Sequence, residues 1–179
     1  MNKKITALAL VLGACISTSA MADANTGTIN FIGSVSDTTC DFIGEQNGAQ
    51  TTTIDLGAET VANVNAGSTS IVDFSLVGKQ ADGTACTVEA GKSVDISWIP
   101  ASGTWDSNGL QNTGTATNTA IKLMDKDSKP FSALRTTVNY LAADVTDGAL
   151  PFKGQLVKTG AAATAGTVVS AVKFAVSYK

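Results

Sequence analysis

The sequence predicts an all-β protein, an antiparallel sandwich, and three observations carry that prediction. Apolar residues alternate with polar or small ones in several separate stretches, Gly, Asn, Asp and Ser cluster between them, and no long stretch shows helical periodicity. Thr and Val, which favour pleated and half-buried surfaces, are abundant. The alternation runs through Ile29, Phe31, Gly33 and Val35; Val72, Phe74 and Leu76; Val94, Ile96 and Trp98; Ile121 and Leu123; and finally Val172, Phe174, Val176 and Tyr178. Turn-forming residues separate these runs at Gly44 to Gly48, Asn63 to Gly67, Gly78 to Gly83, Gly103 to Gly109 and Asp144 to Gly148. Seven or so short strands in one domain suit two sheets whose alternate residues share a core. There is no internal repeat, charge block or Pro-rich linker to mark a second domain.

The first 22 residues read as an address. Lys3 and Lys4 precede an apolar run from Ile5 to Ile16, and Ala20-Met21-Ala22 supplies a small-residue cleavage site, which is the three-part form of a secretory signal. The mature chain then starts at Asp23. A competing reading takes Leu12-Gly13-Ala14-Cys15 as a lipoprotein processing site, but the signal would be very short and a better site follows. The apolar run falls short of the ~18 to 20 residues of a membrane helix, and nothing downstream reaches that length, so no direct membrane insertion is expected.

With Cys15 removed, Cys40 and Cys86 remain, and an isolated pair in an exported chain points to a disulfide. A redox or metal pair wants closer spacing or further ligands, and neither is present. Closing a loop of roughly 47 residues contributes about 4 kcal/mol on the chain-entropy model.

Composition weighs against several functions. The chain of 179 residues has no histidine, which removes Ser-His-Asp and Cys-His relays and His-ligated zinc. Carboxylate and lysine chemistry remains open, so an enzyme is disfavoured. Formal charge is −3, becoming about −5 once Lys3 and Lys4 leave, and the basic residues are scattered. That distribution offers no footprint for nucleic acid.

The two ends of the mature chain are the most informative. Thr167 to Lys179 is a β-prone stretch without Pro or Gly, with an apolar face and no later strand to cover it. At a sheet edge its unpaired backbone would invite another strand. Gly27 to Thr39 is an extended pattern lying before the first cysteine, outside the disulfide-closed loop. Head-to-tail pairing between copies would join the two and generate a filament, because a heterologous contact does not close on itself. Pattern alone leaves open the alternative that both are ordinary strands paired within one molecule.

The segment Gly27-Thr-Ile-Asn-Phe-Ile-Gly-Ser-Val-Ser-Asp-Thr-Thr-Cys40 resembles the N-terminal region of chaperone-usher pilins of the type 1 fimbrial major-subunit kind, in which a glycine lies seven residues before the first cysteine, as Gly33 does here. Thr53-Ile-Asp-Leu-Gly57, the Phe74-Ser-Leu-Val segment leading to Cys86, Ala149-Leu-Pro-Phe152 and the ending Phe174-Ala-Val-Ser-Tyr178-Lys179 are also similar. The likeness covers nearly the whole mature chain and is weakest from Ala101 to Gly148.

The resemblance implies an incomplete immunoglobulin-like sandwich whose missing strand is donated by a neighbouring subunit, a mode of β-augmentation. Residues 23–39 would be the donor extension and 40–179 the pilin domain. Phe31, Gly33 and Val35 would fill the groove, with Asp37 and Thr39 continuing the alternation toward Cys40. Gly33 suits a point where partner backbone approaches too closely for a Cβ. Before assembly, Val172, Phe174, Val176 and Tyr178 would face a strand of a periplasmic chaperone, with the Lys179 carboxylate held by the chaperone's basic residues. The implied partners are neighbouring pilin subunits, the chaperone and an outer-membrane usher; no cofactor is implied, and the product is a fimbrium at the cell surface that supports adhesion. A donor arm on a single domain fits a shaft subunit, since tip adhesins of this family are longer and lack the arm.

Other candidate sites are weaker. Trp105 lies in a Gly/Ser/Asn loop where an exposed aromatic would stack on a sugar, whereas Trp98 continues the alternation of Val94 and Ile96 into the core. A small secreted carbohydrate-binding sandwich using the Trp105 loop is therefore the rival function, and a hydrolase working through carboxylates is a more distant one. Asp125-Lys-Asp127-Ser128-Lys129-Pro130 starts like a calcium loop but lacks its glycine and distal glutamate, so it reads as a charged hairpin turn. Asp95, Asp106, Asp144 and Asp147 show no acid-base spacing and read as solvated faces and turns.

Overall fold

Residues 40–179 are described by the structure, a computed structural model. The segments expected to be a signal, 1–22, and a donor extension, 23–39, with Phe31, Gly33, Val35, Asp37 and Thr39, lie outside the described residues. Among the described residues ten strands form two antiparallel sheets: β1 (Asp41–Gln46), β2 (Ala49–Thr51), β3 (Ile71–Lys79), β4 (Ser93–Pro100), β5 (Trp105–Asp106), β6 (Gly109–Gln111), β7 (Thr119–Met124), β8 (Thr137–Leu141), β9 (Ala149–Lys158) and β10 (Val172–Tyr178). The larger sheet has the order β2-β1-β3-β9-β7-β6-β5 and the smaller β10-β4-β8.

Alternation decides which residues meet. On β9, Leu150, Phe152 and Leu156 turn inward; Leu150 and Phe152 stand opposite Leu76 and Phe74 of β3, and Leu156 opposite Ile121 of β7. On β4, Val94, Ile96 and Trp98 turn inward beside Tyr140 and Val138 of β8. Phe152 sits at the centre: its ring lies 5.0 Å from Trp98, 5.5 Å from Tyr140 and 5.7 Å from Phe74. Tyr140 is fully buried yet satisfied, because its hydroxyl donates to the Pro151 carbonyl at 2.5 Å. Burial and the nearby Asp125 carboxylate push the Tyr140 phenol far up, so it remains a neutral donor.

Cys40 and Cys86 form the expected disulfide, with Cα atoms 6.2 Å apart. It ties the start of β1 to the segment after β3. A Cβ on Gly78 would stand 2.7 Å from the Phe42 ring and 3.2 Å from the Cys86 Cβ, so the close approach of β1 to β3 here depends on that glycine.

Strand count and several boundaries differ from the sequence expectation. The turn expected over Gly44 to Gly48 is confined to Asn47-Gly48, with φ of 54° and 76°, and Gly44 lies inside β1. Asn63 to Gly67 forms most of a short helix, α1 (Val61–Ala66), and not a simple turn: the Thr60 hydroxyl accepts from the Asn63 N–H at 3.1 Å, and Gly67 ends it at φ 71°. Thr167 to Ala171 joins no strand; Thr167 and Val169 carbonyls accept instead from Ala116 and Thr113 N–H groups at 3.0 and 2.8 Å. The ladder begins only at Val172.

Trp98 is buried, as its alternation indicates. Trp105 is half-buried, packs against the core and pairs with Leu110 in the β5–β6 hairpin, so it is a strand residue and not part of an open loop. Asp125 to Pro130 forms the expected turn, closed by a bridge between Met124 and Pro130. Its Asp125 is not solvated: one carboxylate oxygen accepts from the Asp127 and Lys129 N–H groups, each at 2.9 Å, and the other pairs with Arg135.

Candidate functional site: an uncovered edge of the core

The register of β10 on β4 places Phe174 opposite Trp98, Val176 opposite Ile96 and Tyr178 opposite Val94, with Val172 opposite Pro100. Directly opposed residues share a face of the sheet, so these β10 side chains point toward the core. Their coverage is unequal. Ile96 and Trp98 are 0% and 3% exposed, whereas Phe174 is 37% exposed and Val172, Val176 and Tyr178 are only partly buried. Among the described residues the core is thus incompletely covered beside β10.

The backbone on that side is equally unfinished. Lys179 and Ser93 exchange both main-chain hydrogen bonds, at 2.8 and 3.0 Å, which fixes them as a hydrogen-bonded pair of the antiparallel ladder. Period two then turns the N–H groups of Lys173, Ala175 and Ser177 toward β4, and those of Val172, Phe174, Val176 and Tyr178 away from it. Among the described residues no strand pairs with this outer edge.

Opposite the edge lies the start of the larger sheet. Phe42 on β1 reaches Tyr178, with ring centroids 6.5 Å apart, and closes the gap at the disulfide end. Burial pushes the Tyr178 phenol up, keeping it neutral. At the other end an open depression of about 840 Å³ is lined by Ile54, Leu56, Ile121, Leu156, Val168 and Val169 among others. The resembling segment Thr53 to Gly57 thus lines this depression, a placement that its sequence did not reveal. The floor is the inner face of the larger sheet, since Ile121 and Leu156 are direct partners and share the parity of Leu123 and Phe152.

The last residue is fixed from two sides. Besides its backbone pair, Lys179 places its ammonium on Asp95, which also accepts from Asn139 at 2.6 Å. Burial pushes the Asp95 carboxyl up, but the hydrogen bonds from Lys179 and Asn139 outweigh it and hold the group below its ordinary value. Asp95 is thus a partner of the C-terminus and not a solvated residue. The structure brings Val172, Phe174, Val176, Tyr178 and Lys179 onto one edge; Cys40 and Cys86 lie elsewhere, in the disulfide.

No protein-family model matches the chain. It is 40% identical to the K99 fimbrial protein of Escherichia coli over 120 residues, covering 66% of this chain and 60% of that protein. It is 32% identical to the F107 fimbrial protein of Escherichia coli over 167 residues, covering 90% of this chain and 92% of that one. Two solved structures share the fold: the P pilus rod subunit PapA, with a TM-score of 0.54 at 19% identity over 85% of this chain and all (100%) of that one, and a chaperone-usher pilus solved to explain rod uncoiling, with a TM-score of 0.58 at 20% identity over 88% and 98% of the two chains. The fold shared with these pilus subunits is an incomplete immunoglobulin-like sandwich, with one strand edge unpaired among the described residues. The chain belongs to the fimbrial subunit family, the structural components of cell-surface fimbriae.

Proposed function

We propose that this protein builds the shaft of its fimbria by head-to-tail donor-strand complementation. The observation that carries the reading is the outer edge of β10, where apolar side chains and backbone N–H groups both lack cover among the described residues. In this account residues 23–39 of one subunit enter the groove of the next, with Phe31 and Val35 inserting side chains and Gly33 passing where backbone lies too close for a Cβ. Asp37 and Thr39 lead the arm out toward Cys40.

Two kinds of interaction hold the arm. Each inserted apolar side chain contributes about 1.5 to 3 kcal/mol. Each main-chain hydrogen bond adds roughly 0.5 to 1.5 kcal/mol. The hydrogen bonds give affinity in number, and the side chains set the register.

Before assembly a bare edge of this kind promotes aggregation. A periplasmic chaperone strand covers it and holds the Lys179 carboxylate, and an outer-membrane usher exchanges that strand for the next subunit's arm. The protein works as a scaffold supporting cell adhesion through the fibre, without catalysis. The test compares the full mature chain with a chain lacking residues 23–39, expressed with the chaperone. Deletion is expected to stop fibre growth while the truncated domain still binds a 23–39 peptide. A full-length chain that stays monomeric and cooperatively folded without any partner contradicts the proposal.

A further inference from the structure

The hydrogen-bond pattern of β10 continues upstream of its ladder. From Thr167 to Ala171 the odd-numbered residues bond to one side at both main-chain groups. Their N–H groups donate to side-chain oxygens: Thr167 to Thr115 Oγ1 at 2.9 Å, Val169 to Asn112 Oδ1 at 2.8 Å and Ala171 to Ser102 Oγ at 3.2 Å. Their carbonyls accept from the Ala116, Thr113 and Ala101 N–H groups at 3.0, 2.8 and 2.8 Å. Three side chains thus stand in for the carbonyls that a neighbouring strand would offer. Among the described residues the N–H groups of Val168 and Ser170 have no main-chain partner.

Parity carries through into β10. Val168, Ser170 and Val172 are half-buried, whereas Thr167, Val169 and Ala171 are exposed. The even residues therefore keep the face that Phe174, Val176 and Tyr178 keep further along. Ser170 also lines the apolar depression, and its hydroxyl is buried without a hydrogen-bond partner among the described residues. A buried polar group in that state calls for a partner. A change of χ1 rotamer is enough to re-aim a serine hydroxyl.

The donor arm carries a group that answers it. Phe31 and Val35 are apolar, but Asp37, two positions on, is a carboxylate that needs a donor once it leaves water. An antiparallel arm with Asp37 at Ser170 places Val35 at Val172, Gly33 at Phe174 and Phe31 at Val176, since partners step by two in opposite directions. Gly33 then meets the Phe174 ring, 37% exposed, and a residue without a side chain leaves that ring its room. A parallel arm with Asp37 at Ser170 would carry Phe31 and Gly33 off the edge, beyond Val168. We propose that the strand-accepting edge begins at Val168, four residues before β10, and that the Ser170 hydroxyl there donates to Asp37 of the neighbouring subunit's arm. Ser102, Asn112 and Thr115 act as positioning residues that present this extension. The inference rests on the donor-strand reading and adds to it where the arm ends and what fixes its register.

The test uses purified fimbriae carrying the full chain, exchanged in heavy water, dissociated under quench and read residue by residue. The Val168 and Ser170 amides are expected to exchange at least a hundred-fold more slowly than in an unstructured peptide, as Val172, Phe174, Val176 and Tyr178 do. Fast exchange at Val168 and Ser170 beside slow exchange from Val172 to Tyr178 overturns the extension and leaves the donor-strand reading standing. Fast exchange at all six overturns both. Asp37→Ala, Ser170→Ala and the pair together are then compared by the rate at which fibres fall apart in guanidinium. Each single change should speed dissociation at least ten-fold, and the double no more than either alone. A merely structural Ser170 predicts no such loss, because Ser170→Ala removes a hydroxyl that has no partner within the described domain. Singles that behave like the parent, or effects that multiply in the double variant, overturn the pairing. Exchange in the parent fibre decides the question even where a variant does not assemble.

Discussion

Phe174 stands directly opposite Trp98 across the β10–β4 pair, with ring centroids 5.7 Å apart, yet Trp98 is 3% exposed and Phe174 37%. Equivalent positions on neighbouring strands of one sheet should be equally buried if both have a strand beyond them. β4 has β8 on its other side, whereas β10 has no such neighbour among the described residues. Truncating Phe174 to Ala should therefore affect donor binding more than the packing of the domain itself. The expected effect is at least a ten-fold loss of affinity for a 23–39 peptide, equivalent to about 1.4 kcal/mol, measured by fluorescence anisotropy of a labelled peptide.

The disulfide closes a chain separation of 46 residues and ties β1 to the segment beyond β3. Replacing Cys40 and Cys86 with Ser should destabilise the peptide-complemented domain by about 4 kcal/mol on the chain-entropy model. Denaturant unfolding of the two forms side by side measures this difference. The same loss should follow reduction of the parent protein.

Asp125 is 1% exposed and depends on Arg135, whose guanidinium also lies 4.8 Å over the Phe131 ring. Arg135→Ala leaves a buried carboxylate with only its two main-chain donors. A loss of about 2 to 3 kcal/mol is expected, below the upper range for an unpaired buried charge because those donors remain. Adding Asp125→Asn in the same background should recover part of it, and a double-mutant cycle gives the coupling.

The Asp95 carboxyl titrates below its ordinary value in the folded protein. A group of this kind adds stability that is fully present above its unfolded pKa, about 3.9, and is lost as pH falls through the lower folded value. Release of Lys179 from Asp95 should therefore begin only in acid below the usual carboxylate range, with no change near neutral pH. Asp95→Asn should remove that acid-dependent part of the unfolding midpoint, followed by circular dichroism.

The sequence was most readable where one face of a strand is buried and the other wet. Val94, Ile96 and Trp98, and the partners Val172, Phe174, Val176 and Tyr178, all follow the pleat, so both β4 and the candidate edge could be placed from alternation. β9 was hidden because Pro151 and Gly154 interrupt its apolar run, although Leu150, Phe152 and Leu156 keep the parity. α1 spans too few residues to show a helical period and was legible only through Thr60 and Gly67 at its ends. Thr167 to Ala171 has the composition of a strand, but tertiary bonds to the segment around Thr113 and Ala116 overrode that propensity.

Amide hydrogen exchange along β10 tests the central claim most directly. A domain lacking residues 23–39 is refolded with a 23–39 peptide, or with the same peptide carrying Gly33→Val, and the strand is followed residue by residue. The account predicts that Lys173, Ala175 and Ser177 are protected by β4 in every folded form, whereas Val172, Phe174, Val176 and Tyr178 slow only when the parent peptide is bound. Equal protection of all seven amides in the truncated domain alone, unchanged by peptide, would show a finished sheet and contradict it.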